Sequence, residues 1–130
     1  GGPWGRLCAL PAVWVGLLYD DTALAAAWDL AKGWSMEQRE ALRAATPRTG
    51  LATKVDGIDV LALAREVVKI AEAGLKARGK HGAISTDETE YLAPLQQIVD
   101  EGRSPAQALL DAYNGRWNKS VDPVFTELAY

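Results

Sequence analysis

The sequence predicts an all-α fold, an irregular domain of about six helices, from three observations. Apolar residues recur three and four positions apart over most of the chain, as on one face of a helix. Cap residues such as Asp20 and Ser35 stand directly before these periodic stretches. Strand signals are nearly absent, because no stretch alternates polar with β-branched residues and Asn114-Gly115 does not join two apolar runs.

The first helix is predicted over residues 4–19, and Pro3, which suits the first helical turn, marks where it starts. Pro11 lies inside it, and its ring clashes with the carbonyl four residues back, so we expect the helix to be irregular near Leu7–Pro11. The expected buried stripe consists of Leu7, Leu10, Trp14, Leu17 and Leu18.

Two further helices are predicted before residue 46. Asp20 or Asp21 caps the second, which runs to Lys32 and ends at Gly33. Its expected buried stripe is Leu24, Trp28 and Ala31. The third begins with the capping box that Ser35 opens and runs to Ala45. Residues 46–57 contain Pro and Gly and predict a loop with, at most, a short extended piece.

The longest helix is predicted from Ile58 to Arg78. Its apolar face is broad, which indicates packing on more than one side. The basic residues at 65, 69, 76 and 78 are interpreted as a solvated face. The central line of the apolar face is Leu61, Ala64, Val68, Ala71 and Leu75, widened by Val60, Leu63, Val67 and Ile70.

The rest of the chain predicts a turn at 79–83, two helices and a short final one. Ser85 or Thr86 caps a helix that is irregular at Pro94 and ends at Glu101, before Gly102. Ser104-Pro105 begins the next, which runs to Tyr113. After the loop "NGRWNKS", a short helix covers residues 123–128.

Composition limits the classes of function. With 130 residues, 48% of them hydrophobic and 24% charged, the chain is an ordinary globular domain or part of one. Its net charge of −3 and mixed charge pattern argue against binding to nucleic acid or to an anionic membrane. Cys8 is the single cysteine, so an intrachain disulfide and a cysteine-based zinc site are both excluded, and a reducing compartment fits.

The opening stretch "GGPWGRLCALPAVWVGLLYDD" has three interpretations. Leu7 to Leu18 is too short for a membrane span, which needs roughly 20 residues. A signal peptide gains some support from Arg6 before the apolar run and from the alanines after it, but Asp20 and Asp21 intervene. We favour a buried core helix.

Few residues have the pattern of a self-contained active site. His81 is solitary and is expected to be an exposed loop residue, and Cys8 is expected to be buried and structural. Asp20-Asp21 is explained by helix capping without a metal, and no glycine-rich phosphate loop is present. Trp4 and Trp117 lie near glycines and either line a pocket or simply pack, and packing is favoured.

Two long motifs nevertheless resemble a known family. The opening stretch is similar to the start of the C-terminal helical segment of glutamate–cysteine ligase of the plant and proteobacterial type, and "AYNGRWNKSVDPVFTELAY" resembles that family's terminal signature. Between them, "TPRTGL", "AREVVKIAEAGLKARG" and "DETEYLAPLQQIV" fit the family's order, so the resemblance covers the whole chain. Gly5 and Asn118 depart from it, which weakens any claim for a cation at position 5.

The resemblance implies that the parent protein is an ATP- and Mg²⁺-dependent ligase with a glutamine-synthetase-like fold, joining glutamate to cysteine through a γ-glutamyl phosphate in the first step of glutathione synthesis. It also implies that the metal-binding glutamates lie on a sheet upstream of Gly1. We therefore expect a helical buttress that is inactive alone, with no cofactor bound to this chain, and with the upstream catalytic domain as its partner. Trp4 and Arg6 are the residues expected near the substrates.

Three expectations accompany this interpretation. In plant relatives the cysteine of "LCALP" belongs to a redox-sensitive disulfide, and Cys8 matches it with a partner outside this chain. The location is the cytoplasm of a bacterium, or the plastid if the source is a plant. A severed buttress exposes an apolar face or dimerises to cover it. The alternatives are a free-standing helical interaction module derived from the enzyme and part of a related thiol-pathway γ-glutamyl ligase.

Overall fold

The computed structural model describes residues 4–81 and 88–128, and its elements there are almost entirely helical. The α-helices are α1 (Trp4–Leu7), α2 (Ala9–Leu18), α3 (Asp21–Ala31), α4 (Met36–Thr49), α5 (Val60–His81), α6 (Ala93–Glu101), α7 (Pro105–Asn114) and α8 (Val124–Glu127). Between them lie two 3₁₀ segments, Gly50–Ala52 and Glu88–Leu92, and two short strands, β1 (Lys54–Val55) and β2 (Ile58–Asp59). The predicted all-α class is confirmed.

The first predicted helix is interrupted at Cys8, inside the expected irregular stretch. Pro11 is the third residue of α2, where its missing N–H costs no helical hydrogen bond. In a continuous helix its ring would clash with the carbonyl of Leu7, so the helix restarts instead. The new helix is anchored by the Ala12 amide, which donates to the Cys8 carbonyl at 3.0 Å. Pro3, the predicted start, lies outside the described residues.

Helix α2 packs directly on α5 at a glycine crossing. A Cβ atom placed on Gly16 would lie 2.8 Å from the carbonyl carbon of Ala71, and one placed on Gly74 would lie 2.9 Å from that of Gly16. Real Cβ atoms do not come so close, so both positions need glycine for the two backbones to meet. The core built around this crossing contains Ala12, Val13, Leu17, Ala71, Leu75 and Leu92.

The expected buried stripe of α2 is mostly wrong. Its inward face is made of small residues together with Val13 and Leu17, and Leu17 is the one predicted stripe residue that is buried. The glycine crossing explains this orientation, because only a face of small side chains lets the helix backbones approach so closely. The large side chains on the opposite side, each at least half exposed, are Leu7, Leu10, Trp14 and Leu18.

Helix α3 shows the same inversion. Asp20 caps it as predicted, accepting a hydrogen bond of 2.8 Å from the Ala23 amide. Its buried residue is Ala23, whose Cβ lies beside Gly74. Leu24 and Trp28, predicted to be buried, are exposed, because the small residue and not the large ones faces the crossing.

The segment after α3 contains a predicted helix and a hairpin, of which the short extended piece allowed within 46–57 is confirmed as β1, whereas Ile58, the predicted start of the long helix, belongs to β2. The capping box at Ser35 is confirmed, but α4 continues through Pro47 to Thr49, beyond the predicted end at Ala45. A hairpin of β1 and β2 follows, and its turn residues Asp56 and Gly57 have φ values of 46° and 82°. Such a turn needs left-handed conformations at both positions, which Asp-Gly accepts readily.

Helix α5 is the central element of the fold. Asp59 caps it by accepting hydrogen bonds from the Leu61 and Ala62 amides at 3.0 and 3.1 Å. The predicted core positions Val68, Ala71 and Leu75 are buried, and their neighbours on the broad face are half-buried. The helix continues to His81, so the turn predicted from residue 79 is wrong over 79–81.

The C-terminal elements largely follow the prediction. The caps proposed at Ser85 and Thr86 lie outside the described residues. The irregularity at Pro94 is confirmed as a change from 3₁₀ to α-helix, and Gly102 ends α6 with a φ of 62°. Ser104 caps α7 by accepting from the Gln107 amide at 3.2 Å. In the described part of the chain, no helix is long and apolar enough to cross a membrane.

Candidate functional site

The predicted site residues lie at the junction of α1 and α2. Trp4 belongs to α1 by its backbone, and its side chain lies outside the described part of the structure. Arg6 is exposed, and Cys8 carries an exposed free thiol at the break between the helices. The expectation of a buried Cys8 is wrong, because α2 turns its small-residue face inward and Cys8 precedes that face. A role of Trp4 and Arg6 near substrates stays a prediction.

A hollow of about 230 Å³ opens beside Cys8. Its walls come from α2, from α5 and from the 3₁₀ segment Glu88–Leu92. The hollow therefore exists only once these three elements have packed together. Apolar side chains dominate the lining, and a thiol, a carboxylate and a phenol supply its polar groups. The lining residues are Cys8, Pro11, Ala12, Val15, Leu75, Glu88 and Tyr91.

Arg78 holds the wall of this hollow in place. Its Nε lies 3.3 Å from a carboxylate oxygen of Glu88, and both side chains are less than a third exposed. Its guanidinium also lies 5.5 Å from the ring centroid of Tyr19, at cation–π distance. Arg78 thereby joins α5 to the 3₁₀ segment and to the end of α2. The interpretation of the basic residues as a solvated face fits Lys69 and Lys76, which are 76% and 57% exposed, but not Arg78, which is 29% exposed.

A second hollow, of about 300 Å³, lies on the other side of the same 3₁₀ segment. Its lining mixes aliphatic with uncharged polar residues and contains one carboxylate, that of Glu72. Within residues 4–81 and 88–128, no three histidine, cysteine or carboxylate side chains come together as metal ligands would. Neither hollow therefore has the donor set of a metal centre.

The C-terminal signature folds into a turn closed by one carboxylate. Trp117 is buried, as the packing interpretation predicted, and its indole N–H donates to Glu127 at 2.8 Å. Arg116 pairs with the same carboxylate, and its guanidinium lies 5.1 Å from the Trp117 ring centroid. The hydrogen bond from Trp117, and then that from Arg116, hold the pKa of Glu127 below its usual value. These contacts hold the two ends of the turn together, which is a structural role.

Two exposed apolar surfaces remain. The N-terminal apolar face comprises Leu7, Leu10, Trp14, Leu18, Leu24 and Trp28. The exposed apolar residues of the C-terminal elements, together called the C-terminal apolar face, are Leu109 and Leu110 on α7 and Val121, Phe125 and Leu128 in and beside α8. Single exposed apolar residues are ordinary, but contiguous exposed patches mark contact surfaces. The chemistry that this geometry supports best is therefore contact with another polypeptide surface.

Comparison with known proteins gives consistent matches along the whole chain. A family model described as Glutamate-cysteine ligase family 2 matches residues 1–127. The chloroplastic glutamate–cysteine ligases of Nicotiana tabacum and Arabidopsis thaliana are 47% and 49% identical over the full chain. The chloroplastic glutamate–cysteine ligase A of Oryza sativa subsp. indica is 44% identical.

The matched region is a minor part of each relative. The chain covers 24% of the tobacco and Arabidopsis proteins and 25% of the rice protein, and so spans about a quarter of their length. The family match nevertheless extends over nearly all of the chain. The chain therefore belongs to Glutamate-cysteine ligase family 2.

Proposed function

We propose that this chain is the C-terminal helical part of an ATP-dependent glutamate–cysteine ligase, the enzyme that makes γ-glutamylcysteine in the first step of glutathione synthesis. The observation that carries the proposal is that the whole chain matches about a quarter of proteins of that name, at 43–49% identity. The location follows the source: the cytoplasm of a bacterium, or the plastid of a plant, as in the named relatives.

The proposed reaction has two steps. An oxygen of the glutamate γ-carboxylate attacks the γ-phosphorus of ATP, ADP leaves, and an acyl phosphate forms. The amino nitrogen of cysteine then attacks the acyl carbon, phosphate leaves, the nitrogen gives up a proton, and an amide is formed. Cations must neutralise the phosphoryl charge in the first step, which is the role of Mg²⁺ held by acidic ligands.

In this proposal the chain is a buttress and does not carry the reacting groups. We assign the Mg²⁺ and ATP sites to the rest of the enzyme, which makes up about three quarters of the relatives' length, and derive no step on this chain. The exposed apolar faces support the assignment, because a buttress needs a surface that packs against what it supports.

A chimera tests this proposal. The matched segment of the tobacco ligase is replaced by these 130 residues, and formation of γ-glutamylcysteine from glutamate, cysteine and MgATP is measured by chromatography. We expect the chimera to be active, and the tobacco enzyme truncated before the segment and the 130-residue chain alone to be inactive. A soluble, folded chimera without activity would contradict the proposal.

Calorimetric titration of the 130-residue chain with MgATP separates the alternatives. We expect no saturable binding, because the nucleotide site is assigned elsewhere. Tight binding would overturn the buttress assignment and place a nucleotide site on the chain itself. An inactive chimera together with a stable, monomeric chain would favour the free-standing interaction module.

A further inference from the structure

We propose that the remaining part of the ligase packs against the N-terminal apolar face. In the whole enzyme Leu10, Trp14 and Trp28 are then buried in this contact. The occupant is the roughly three quarters of the enzyme that lies outside the matched region. The inference rests on the proposed function and deepens it by naming the contact surface.

The first support is the two-sided character of α2. Its small residues and Leu17 already occupy the contact with α5, so its large residues have no place in the core of this chain. The side chains of Leu10 and Trp14 are 62% and 55% exposed. Leu10, Trp14 and Leu18 lie four residues apart on α2 and so form one exposed apolar patch, and such a patch marks a contact surface.

The second support is the absence of charge. No residue from Leu7 to Tyr19 is charged. A helix whose outer side faces water carries charged and polar residues on that side, whereas a helix that is apolar all round is buried. Helix α2 is apolar all round and buried on one side in this chain, so its sequence requires a second packing partner.

The third support comes from α3. Leu24 and Trp28 are exposed on this helix, which packs against both α2 and α5. Each of the two helices therefore exposes a tryptophan, the residue type that contributes most at contact surfaces. A single groove for a short peptide would not need both helices.

The rest of the enzyme fits this face better than a second copy of the chain does. A two-fold dimer of identical chains covers one self-complementary patch. This chain exposes two apolar faces, and among the described residues α7 and α8 pack extensively on neither α2 nor α3. A segment about three times as long as the chain can cover both faces at once.

Cysteine labelling measures the burial directly. Trp14→Cys and Leu10→Cys are introduced in a Cys8→Ser background, because Cys8 is itself exposed beside the face. Met36→Cys is the matched control, since Met36 is an apolar residue, 67% exposed, on α4. Each variant is prepared in the 130-residue chain and in the tobacco chimera. Maleimide modification of each peptide is then followed over time by mass spectrometry.

We expect positions 10 and 14 to react at least about tenfold more slowly in the chimera than in the chain, because labelling then requires local opening. Position 36 should react at similar rates in both. A chimera that is active and labels equally fast at position 14 would overturn this inference and leave the proposed function intact. An inactive chimera that is protected at position 14 would support the proposed contact at the N-terminal apolar face and contradict the proposed function. An insoluble chimera counts against both.

Two further measurements test whether the rest of the ligase, and not a second copy of the chain, covers the N-terminal apolar face. Protection at positions 10 and 14 that grows with the concentration of the 130-residue chain would show a second copy on the face and overturn the stated occupant. Trp14→Ser should lower the unfolding temperature of the chimera by several degrees more than that of the chain, in which Trp14 is already 55% exposed. Met36→Ser should change the unfolding temperature of neither protein. An equal effect of Trp14→Ser on both proteins would contradict the proposed contact at the N-terminal apolar face.

Discussion

Glu127 shows how one side chain closes a segment that has little other packing. Its carboxylate accepts from the buried indole of Trp117 and from Arg116, while Asn118 and Lys119 between them adopt φ values of 47° and 62°. Non-glycine residues with such φ values need support from their surroundings. The amides of Asn118 and Lys119 donate to the carbonyls of Gly115 and Tyr113 at 3.0 and 2.7 Å and supply that support, while the hydrogen bonds to Glu127 join the turn to α8.

Glu127→Gln should therefore destabilise the chain in a pH-dependent way. The pKa of Glu127 is lower in the folded chain than its ordinary 4.5. The charge thus stabilises the fold fully above that ordinary value, and this contribution is lost as the pH falls through the folded pKa. We expect wild type to exceed the variant in free energy of unfolding at pH 7, with the difference shrinking towards pH 3. Urea unfolding followed by tryptophan fluorescence measures it.

The matched control is Glu90→Gln, which removes the same charge from an exposed position on the 3₁₀ segment. Because this side chain is exposed, the variant should unfold at pH 7 with nearly the wild-type free energy. The glutamine at 127 retains an oxygen that can accept from Trp117, so the comparison isolates the charge. A difference between wild type and Glu127→Gln that stays constant from pH 7 to pH 3 would contradict this explanation.

The glycine crossing decides the geometry of the helices α2, α3 and α5. Gly16 and Gly74 bring two backbones into contact, and Ala23 fills the space beside them. Gly74→Ala should lower the free energy of unfolding by about 1–3 kcal/mol, because the added methyl group forces the helices apart. Urea unfolding of the purified variant measures this loss.

Gly79→Ala is the control within the same helix. Apart from the neighbouring backbone of its own helix, no atom lies within 4 Å of a Cβ placed at Gly79. Alanine is the better helix former, so this variant should gain about 0.5–1 kcal/mol. If both alanine variants changed stability in the same direction, the crossing would not be the determinant.

Helix positions could be predicted from the sequence because their signals are local. Asp20, Ser35 and Ser104 cap their own helices through neighbouring amides, so a few adjacent residues determine where each helix begins. The hairpin could not be predicted from alternation, because each of its strands has only two residues.

The faces of the helices could not be predicted in the same way. Which side of α2 is buried depends on Gly74, which lies 58 positions after Gly16. Periodicity alone favours the side with the larger apolar residues, and that side is exposed here. The hollow beside Cys8 has the same origin, because Arg78, Glu88 and Tyr19 meet only after the helices have packed.

At the scale of the whole molecule, packing is uneven. The contacts between α2 and α5 are the most extensive in the described structure, and neither α7 nor α8 packs extensively on another helix. Segments with few tertiary contacts open locally at low free energy, whereas core helices open only with the whole domain. The molecule thus consists of a firm N-terminal core and a loosely attached C-terminal turn.

Hydrogen exchange should show this difference. In the 130-residue chain, amides of α2 and α5 are expected to exchange slowest, and those of α7 and α8 at least about tenfold faster, because their opening needs less of the core to unfold. Mass spectrometry of peptides after timed exchange measures both. In the chimera the α7 and α8 amides should become slower if the C-terminal apolar face is covered. Uniform exchange along the chain would contradict the uneven packing.

The crossing of α2 on α5 also sets how far Trp14 and its neighbours protrude. Distances between packed helix axes vary over about 8–10 Å with the side chains at the contact, so a methyl group at Gly16 would push α2 outward by up to about 1–2 Å. That displacement moves the N-terminal apolar face without altering any of its side chains. A substitution in the interior of the chain would then shift the exposed surface that Leu10 and Trp14 form, although neither side chain is itself changed.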